Sequence, residues 1–450
     1  MEILQYICAF LVFLLGTYAL FRNQLIIIYI GFFLTLLGQL GRLPIPITDI
    51  GILISDLFIP WIVMLWFLKE LFISRSLPKT SFGRYILLFL LAALLSLVIN
   101  SIGLPASELL SSGFYLVRLI AYLLFYFLCF QVLQNPENRK KMLGSLYITS
   151  IGLAIAGLIQ YFLVPDFTSM AQYGWDPHIG RLLSTWYDPN YIAGFFAVII
   201  GILTSAWLMK KDKWLDIYTP VAIILLLVVF ALTFSRSGLV ALGVVVLCIS
   251  ILKARSLLII GLLGLLIAVG VNDRAQERAM GLVNSALSVV TGSLDYDLDA
   301  TSKLRVESWN QSINLIDGNY LTGIGYNTIQ YKKLTKGLIT SDSIHSGSGS
   351  DSSLLNIFIT TGCIGLLLYM IFYIQLLSAS LKLYRQKDIP DHIRGYALGI
   401  FSLICALLLH SFFVNSLLLP FFILIMMPLF ALLDHYNIEF APKKLLESLK

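Results

Sequence analysis

Apolar runs follow one another along almost the whole chain, separated by short polar and basic segments. Thirteen of them predict helices: 3–21, 24–40, 49–68, 85–100, 114–133, 142–164, 191–209, 217–234, 238–252, 257–271, 354–377, 396–414 and 417–433. A run of about 20 apolar residues crosses ~30 Å of hydrocarbon as a helix. Strands with open edges cannot satisfy their backbone groups in lipid. The pattern therefore predicts an all-α polytopic membrane protein of about 12–14 transmembrane helices.

One long segment breaks the rhythm. Residues 272–351 are much more polar and mix both charge signs, yet 280–290 and 305–316 keep helix-like apolar spacing. They predict a small helical cap, closed by a flexible Ser/Gly stretch at 346–350. The expected organisation is a first bundle section at 1–271, the cap at 272–351, the last helices at 352–434 and a tail at 435–450.

Basic clusters set the expected sidedness. Lys69 to Arg84, Arg139 to Lys141, Lys210 to Lys213, Lys253 with Arg255, Lys382 to Arg394, and Lys443 with Lys444 alternate with loops poor in lysine. Such clusters mark the cytoplasmic side. Alternation then puts 103–113, 165–190, 235–237 and the cap outside, with the C-terminus inside and the N-terminus outside, while one miscounted early span reverses the N-terminus. Composition agrees: 58% of residues are hydrophobic, 12% are charged and the mean hydropathy is +0.87. The net charge of +6 lies in these loops and is no nucleic-acid footprint. The five cysteines lack metal-ligand spacing, and Met1-Glu2-Ile3 lacks the basic start of a cleaved signal, so the first run is expected to be retained.

The candidate chemistry lies on the outer side, where arginines are uncommon. Arg181 precedes Asp188-Pro189-Asn190; Arg236 sits in the short turn Thr233-Phe234-Ser235-Arg236-Ser237-Gly238; Arg305 begins a cap helix with Trp309; Arg118 lies near the start of a span. A guanidinium presents a planar fork suited to phosphate oxygens, so convergence of several would make a pyrophosphate site. Each can instead pair with a nearby carboxylate or snorkel to the interface. His345 and Asp351 are candidate general bases, against readings as an exposed loop residue and a helix N-cap. His410 is intramembrane and can orient a substrate or bond a neighbouring helix. No phosphate loop, zinc-protease motif or nucleophile elbow occurs.

The ordered set resembles the bacterial O-antigen ligase and polymerase superfamily. It comprises Arg181 with Asp188-Pro189-Asn190-Tyr191, Thr233 to Leu239, Arg305 with Trp309, Leu321-Thr322-Gly323-Ile324-Gly325-Tyr326-Asn327, and Leu354 to Gly365. The resemblance implies a GT-C-like, cofactor-free and metal-independent glycosyltransferase in a bacterial inner membrane, its site facing the periplasm. Its substrate would be a glycan on undecaprenyl pyrophosphate, and a chain-length regulator is a possible partner. Arg181, Arg236, Arg305 and Arg118 would hold the pyrophosphate, and Asn190, Trp309 and His410 would orient the acceptor.

One departure bears on the reaction. The ligase branch carries a histidine in the slot that Asp351 occupies here, with His345 six residues earlier. Asp351 is the favoured base, His345 its competitor, and the acidic residue points to polymerisation of repeat units. The alternatives are ligation to lipid A core and, from another class, transport of a small anion such as inorganic carbon.

Overall fold

The computed structural model describes residues 2–45, 48–210, 216–271, 300–340 and 349–440, with the single positions 273, 274, 276, 277, 280, 281 and 284. Its helices are α1 (Glu2–Arg22), α2 (Leu25–Leu37), α3 (Ile54–Lys69), α4 (Gly83–Ile99), α5 (Ala106–Val132), α6 (Pro136–Leu163), α7 (Pro189–Met209), α8 (Tyr218–Ala231), α9 (Arg236–Leu252), α10 (Ser256–Val271), α11 (Ala300–Ile313), α12 (Ile329–Thr335), α13 (Ser353–Arg385), α14 (Asp391–His410) and α15 (Pro420–Glu439). Each of the thirteen expected runs carries a helix, and α11 and α12 belong to the segment between α10 and α13. Among the described residues, eight helices are long and apolar enough to cross a membrane, and four shorter apolar ones accompany them.

The third run starts later than its hydropathy suggests. Arg42–Ile45 and Thr48–Leu53 form an antiparallel pair with Arg42 opposite Leu53, and α3 begins only at Ile54. Pro44 and Pro46 deny amide donors to a helix, and the β-branched Ile45, Ile47, Thr48, Ile50 and Ile52 suit extended backbone.

At the centre, α7 packs against α9 and α14, α15 lies against α5, and α13 against α4 and α14. The apolar stretch of α15 is 89% buried and that of α1 only 28%, so α15 is a core helix and α1 a peripheral one. Aromatic rings fill the space around Trp186, whose ring lies 5.1 Å from Phe421 and 5.3 Å from Phe195.

Loops and cap gather at one end of the bundle. Trp186 Nε1 donates to Thr35 O at 2.9 Å, the Leu182 amide to Leu232 O at 2.9 Å, and Ser352 Oγ to Ser411 O at 3.0 Å. The basic loops lie at the far end, where Arg139 meets Glu439 and Tyr384 donates to Leu252 O. The cap is seated by a small apolar core of Leu315, Ile316, Ile324, Ile329 and Ile359.

The seat depends on a break in α13. Gly362 has φ +68° and ψ −172°, outside helical values. The freed amide of Cys363 donates to Tyr320 O at 2.8 Å, and Ile324 donates to Ile359 O at 2.9 Å. A Cβ at Gly362 would stand 2.2 Å from Leu321 O, and one at Gly323 2.5 Å from Thr360 C. Two glycines thus let the cap turn and the broken helix touch through their backbones. Asn100 Nδ2, just past α4, donates to Gly323 O at 3.1 Å and Ser96 Oγ of α4 to Thr360 O at 2.6 Å, tying the joint to the bundle.

Candidate functional site

Three helices begin at the cap end beneath the cap, and each start is capped by its own sequence. Asp188 Oδ1 accepts from the amides of Asn190 (2.7 Å) and Tyr191 (3.0 Å), with Pro189 in the first helical turn of α7. Ser235 Oγ accepts from Gly238 in α9 at 3.1 Å, and Ser352 Oγ from Leu355 in α13 at 3.4 Å. Short oxygen-bearing side chains at such positions satisfy orphan helix amides, and the three starts turn the positive ends of their helix dipoles toward one face.

The arginines divide into two groups. Arg181 is buried, and its guanidinium donates to Thr233 O at 2.9 Å and Phe234 O at 3.4 Å, two residues before Arg236. Arg236 is half-buried and reaches the segment beyond α10, with Nη1 3.0 Å from where a Cβ on Gly281 would lie. Ser235 Oγ donates to Asn190 Oδ1 at 2.8 Å. Arg181, Asn190 and Arg236 therefore share one neighbourhood. Arg305, on α11, comes within electrostatic reach of Asp188, Asp351 and His410. Arg118 belongs elsewhere: its Nε pairs with Asp56 at 2.9 Å, and Tyr122 OH donates to the same carboxylate at 2.9 Å.

Asp351 stands just before α13 in left-handed backbone, with φ +50°. Ser352, not Asp351, caps that helix, which leaves the carboxylate to other work. Burial pushes its pKa up; Arg305 and Lys333 oppose that shift, and Asp176 and Asp188 add to it. Burial likewise raises the pKa of Asp188, against its two amide bonds and the fields of Arg181 and Arg305. His410 is fully buried, its ring against Gly194 beside the backbone of Asn190, in a loose geometry that leaves both nitrogens short of a full hydrogen bond. Trp309 Nε1 is buried without a hydrogen-bond partner among the described residues. His345 lies outside the described residues, as does most of 280–290. Among the described residues, no three His, Cys, Asp or Glu side chains come together as a metal site requires.

Three contributors were absent from the expected set. Lys333 of α12 is fully buried and donates to Gly349 O at 2.7 Å. Arg274 donates to Gly180 O and Ile179 O, both at 2.8 Å, and covers the Phe234 ring at 4.7 Å, pinning the Arg181 segment to the Arg236 turn. Asp188 was legible as a helix start, and Lys333 through its place one turn after Ile329 on an inward face. Nothing in the sequence around Arg274 distinguishes it from a surface arginine.

The chain matches no curated protein. Residues 221–370 match the family model described as O-Antigen ligase, a stretch that opens in α8, takes in the Arg236 turn and Asp351, and ends beyond the Gly362 break. That third of the chain is similar to the O-antigen ligase family domain, which supports the resemblance to the O-antigen ligase/polymerase superfamily and, at a coarse level, membrane glycosyltransferase-type chemistry.

Proposed function

We propose that the protein polymerises glycan repeat units carried on undecaprenyl pyrophosphate, with Asp351 as the general base. The observation that supports this reading best is the approach of Arg305 to Asp351 at a face where three helices begin. Asp351 would take the proton from an acceptor sugar hydroxyl. The oxygen would attack the anomeric carbon of the donor glycan, forming the new glycosidic bond while the carbon–oxygen bond to the pyrophosphate breaks. Undecaprenyl pyrophosphate leaves with the bonding electrons. Its growing charge needs fixed positive partners, which Arg305, Arg236 and the helix starts would supply. Arg181 already serves two backbone carbonyls, so its part is to shape the Arg236 turn. Asn190, Trp309 and His410 would orient the acceptor.

The basic loops at the far end favour a cytoplasmic far end and an outward cap. The test is an assay of purified protein with undecaprenyl-pyrophosphate-linked repeat units, products resolved by length, for wild type, Asp351→Asn and His345→Ala. A ladder lost only in Asp351→Asn supports the reading. Loss only in His345→Ala moves the base to His345. Single transfer to a lipid A core acceptor, without a ladder, makes the protein a ligase. No transfer, with anion uptake into proteoliposomes, overturns glycosyl transfer altogether.

A further inference from the structure

We propose that Lys333 is the positioning residue for Asp351: from α12 its ammonium grips the carbonyl of Gly349 and holds the turn that presents the carboxylate. This rests on Asp351 as the base. Lys333 has no exposed surface. Lysines are almost never fully buried, because removing an ammonium from water is costly without hydrogen bonds and opposite charge. Here Nζ donates to Gly349 O at 2.7 Å, and the Asp351 carboxylate lies within its electrostatic reach.

A second cap helix converges on the same atom. Ser308 Oγ of α11 donates to Gly349 O at 3.3 Å. Two residues on, Asp351 adopts φ +50°, Ser350 Oγ donates to Ser352 O at 2.9 Å, and Ser352 caps α13. A non-glycine residue in left-handed backbone persists where its surroundings over-determine it. The grip on Gly349 upstream and the cap on α13 downstream are those surroundings. α11 also carries Arg305 and Trp309, so the cap that brings the arginine also sets the carboxylate.

Among the described residues, the groups facing Asp351 are Arg305 of α11, Lys333 of α12, Asp176 of the 164–188 loop, and Asp188 and Tyr191 at the start of α7. The two cations favour the ionised carboxylate and the two acids oppose it. Removing the Lys333 charge therefore raises the pH at which Asp351 ionises. The acid limb of the activity profile then moves to higher pH, since the base works deprotonated.

The experiment measures turnover of undecaprenyl-pyrophosphate-linked repeat units by the full-length protein in nanodiscs, from acid to neutral pH. It compares wild type, Lys333→Met, Lys333→Arg, Ser308→Ala and Asp351→Asn. Lys333→Met is expected to lower kcat about tenfold with little change in KM and to shift the acid limb upward. Lys333→Arg should restore the limb. Ser308→Ala should lower kcat less and leave the limb in place, and it reads the grip on Gly349 even if Lys333→Met does not fold. A wild-type limb in Lys333→Met overturns the inference, as does full kcat in a folded Ser308→Ala when Lys333→Met is unfolded. Asp351→Asn separates the two levels: full activity there removes the base itself, whereas inactivity beside an unshifted Lys333→Met removes only the role of Lys333.

Discussion

The far end of the bundle buries Glu70, Arg139, Asp434 and His435, and each has a partner at hand. Glu70 Oε1 accepts from Gln131 at 3.0 Å; Arg139 reaches Glu439 at 2.7 Å and Leu133 O at 2.8 Å. Asp434 Oδ2 accepts from the Ser81 amide at 2.9 Å and Tyr126 OH at 2.5 Å, and His435 meets Phe130 O at 2.6 Å while stacking on that ring. These contacts join α3 to α5, α6 to α15, and α15 to the start of α4. The second oxygen of Asp434 and the hydroxyls of Ser205 and Ser250, on the far halves of α7 and α9, are exceptions, buried without a partner among the described residues.

The cap end spends its polar groups less completely. Asn415 Oδ1, Ser416 Oγ, Trp309 Nε1 and the nitrogens of His410 are buried and short of a full hydrogen bond among the described residues. Of the six non-glycine residues with positive φ among the described residues, five (Ser184, Tyr187, Phe234, Asn327 and Asp351) lie there. Buried groups left short and backbone held in costly conformations lower stability, and they gather where a ligand is to be met. One end is built to stay shut, and the other keeps capacity for something the bare protein does not contain.

Substitutions sharpen this contrast. The largest effect on turnover is expected for Arg305→Ala, about 10²–10³-fold in the glycan assay, with the thermal midpoint in detergent nearly unchanged. A large fall in that midpoint instead would make Arg305 a structural residue of the cap. Asp434→Ala should do the reverse. It leaves Tyr126 OH and the Ser81 amide without their acceptor, for about 2–4 kcal/mol of stability, while turnover per folded molecule holds. Lost turnover in the folded fraction would erase the distinction between the ends. Arg236→Lys should show a smaller loss, about tenfold, because charge survives and the planar fork does not. Full turnover there would reduce Arg236 to a general positive charge.

Much of the architecture was readable beforehand because apolar length alone decides what crosses lipid. Capping is local chemistry too, yet the one cap read from the sequence, Asp351, was one residue early, since Ser352 caps α13. Arg118 shows where such reading stops. As one more outer arginine it joined the pyrophosphate set, yet Asp56 takes it, a residue 62 positions away on a different helix. The strand at 48–53 marks another limit, since its apolar residues run on into α3 and only the prolines before it and its β-branched residues gave warning.

By itself the sequence determined the helical membrane bundle, the polar cap between α10 and α13, and the order of the motif residues, because each follows from local hydropathy or local hydrogen bonding. Tertiary structure alone decided which charges meet. It sent Arg118 to Asp56, gave Arg181 to the carbonyls before Arg236, brought Arg305 toward Asp351, and buried Lys333 against Gly349. Electrostatic partnership depends on distance through space, and helices far apart in the chain fix that distance only once they pack.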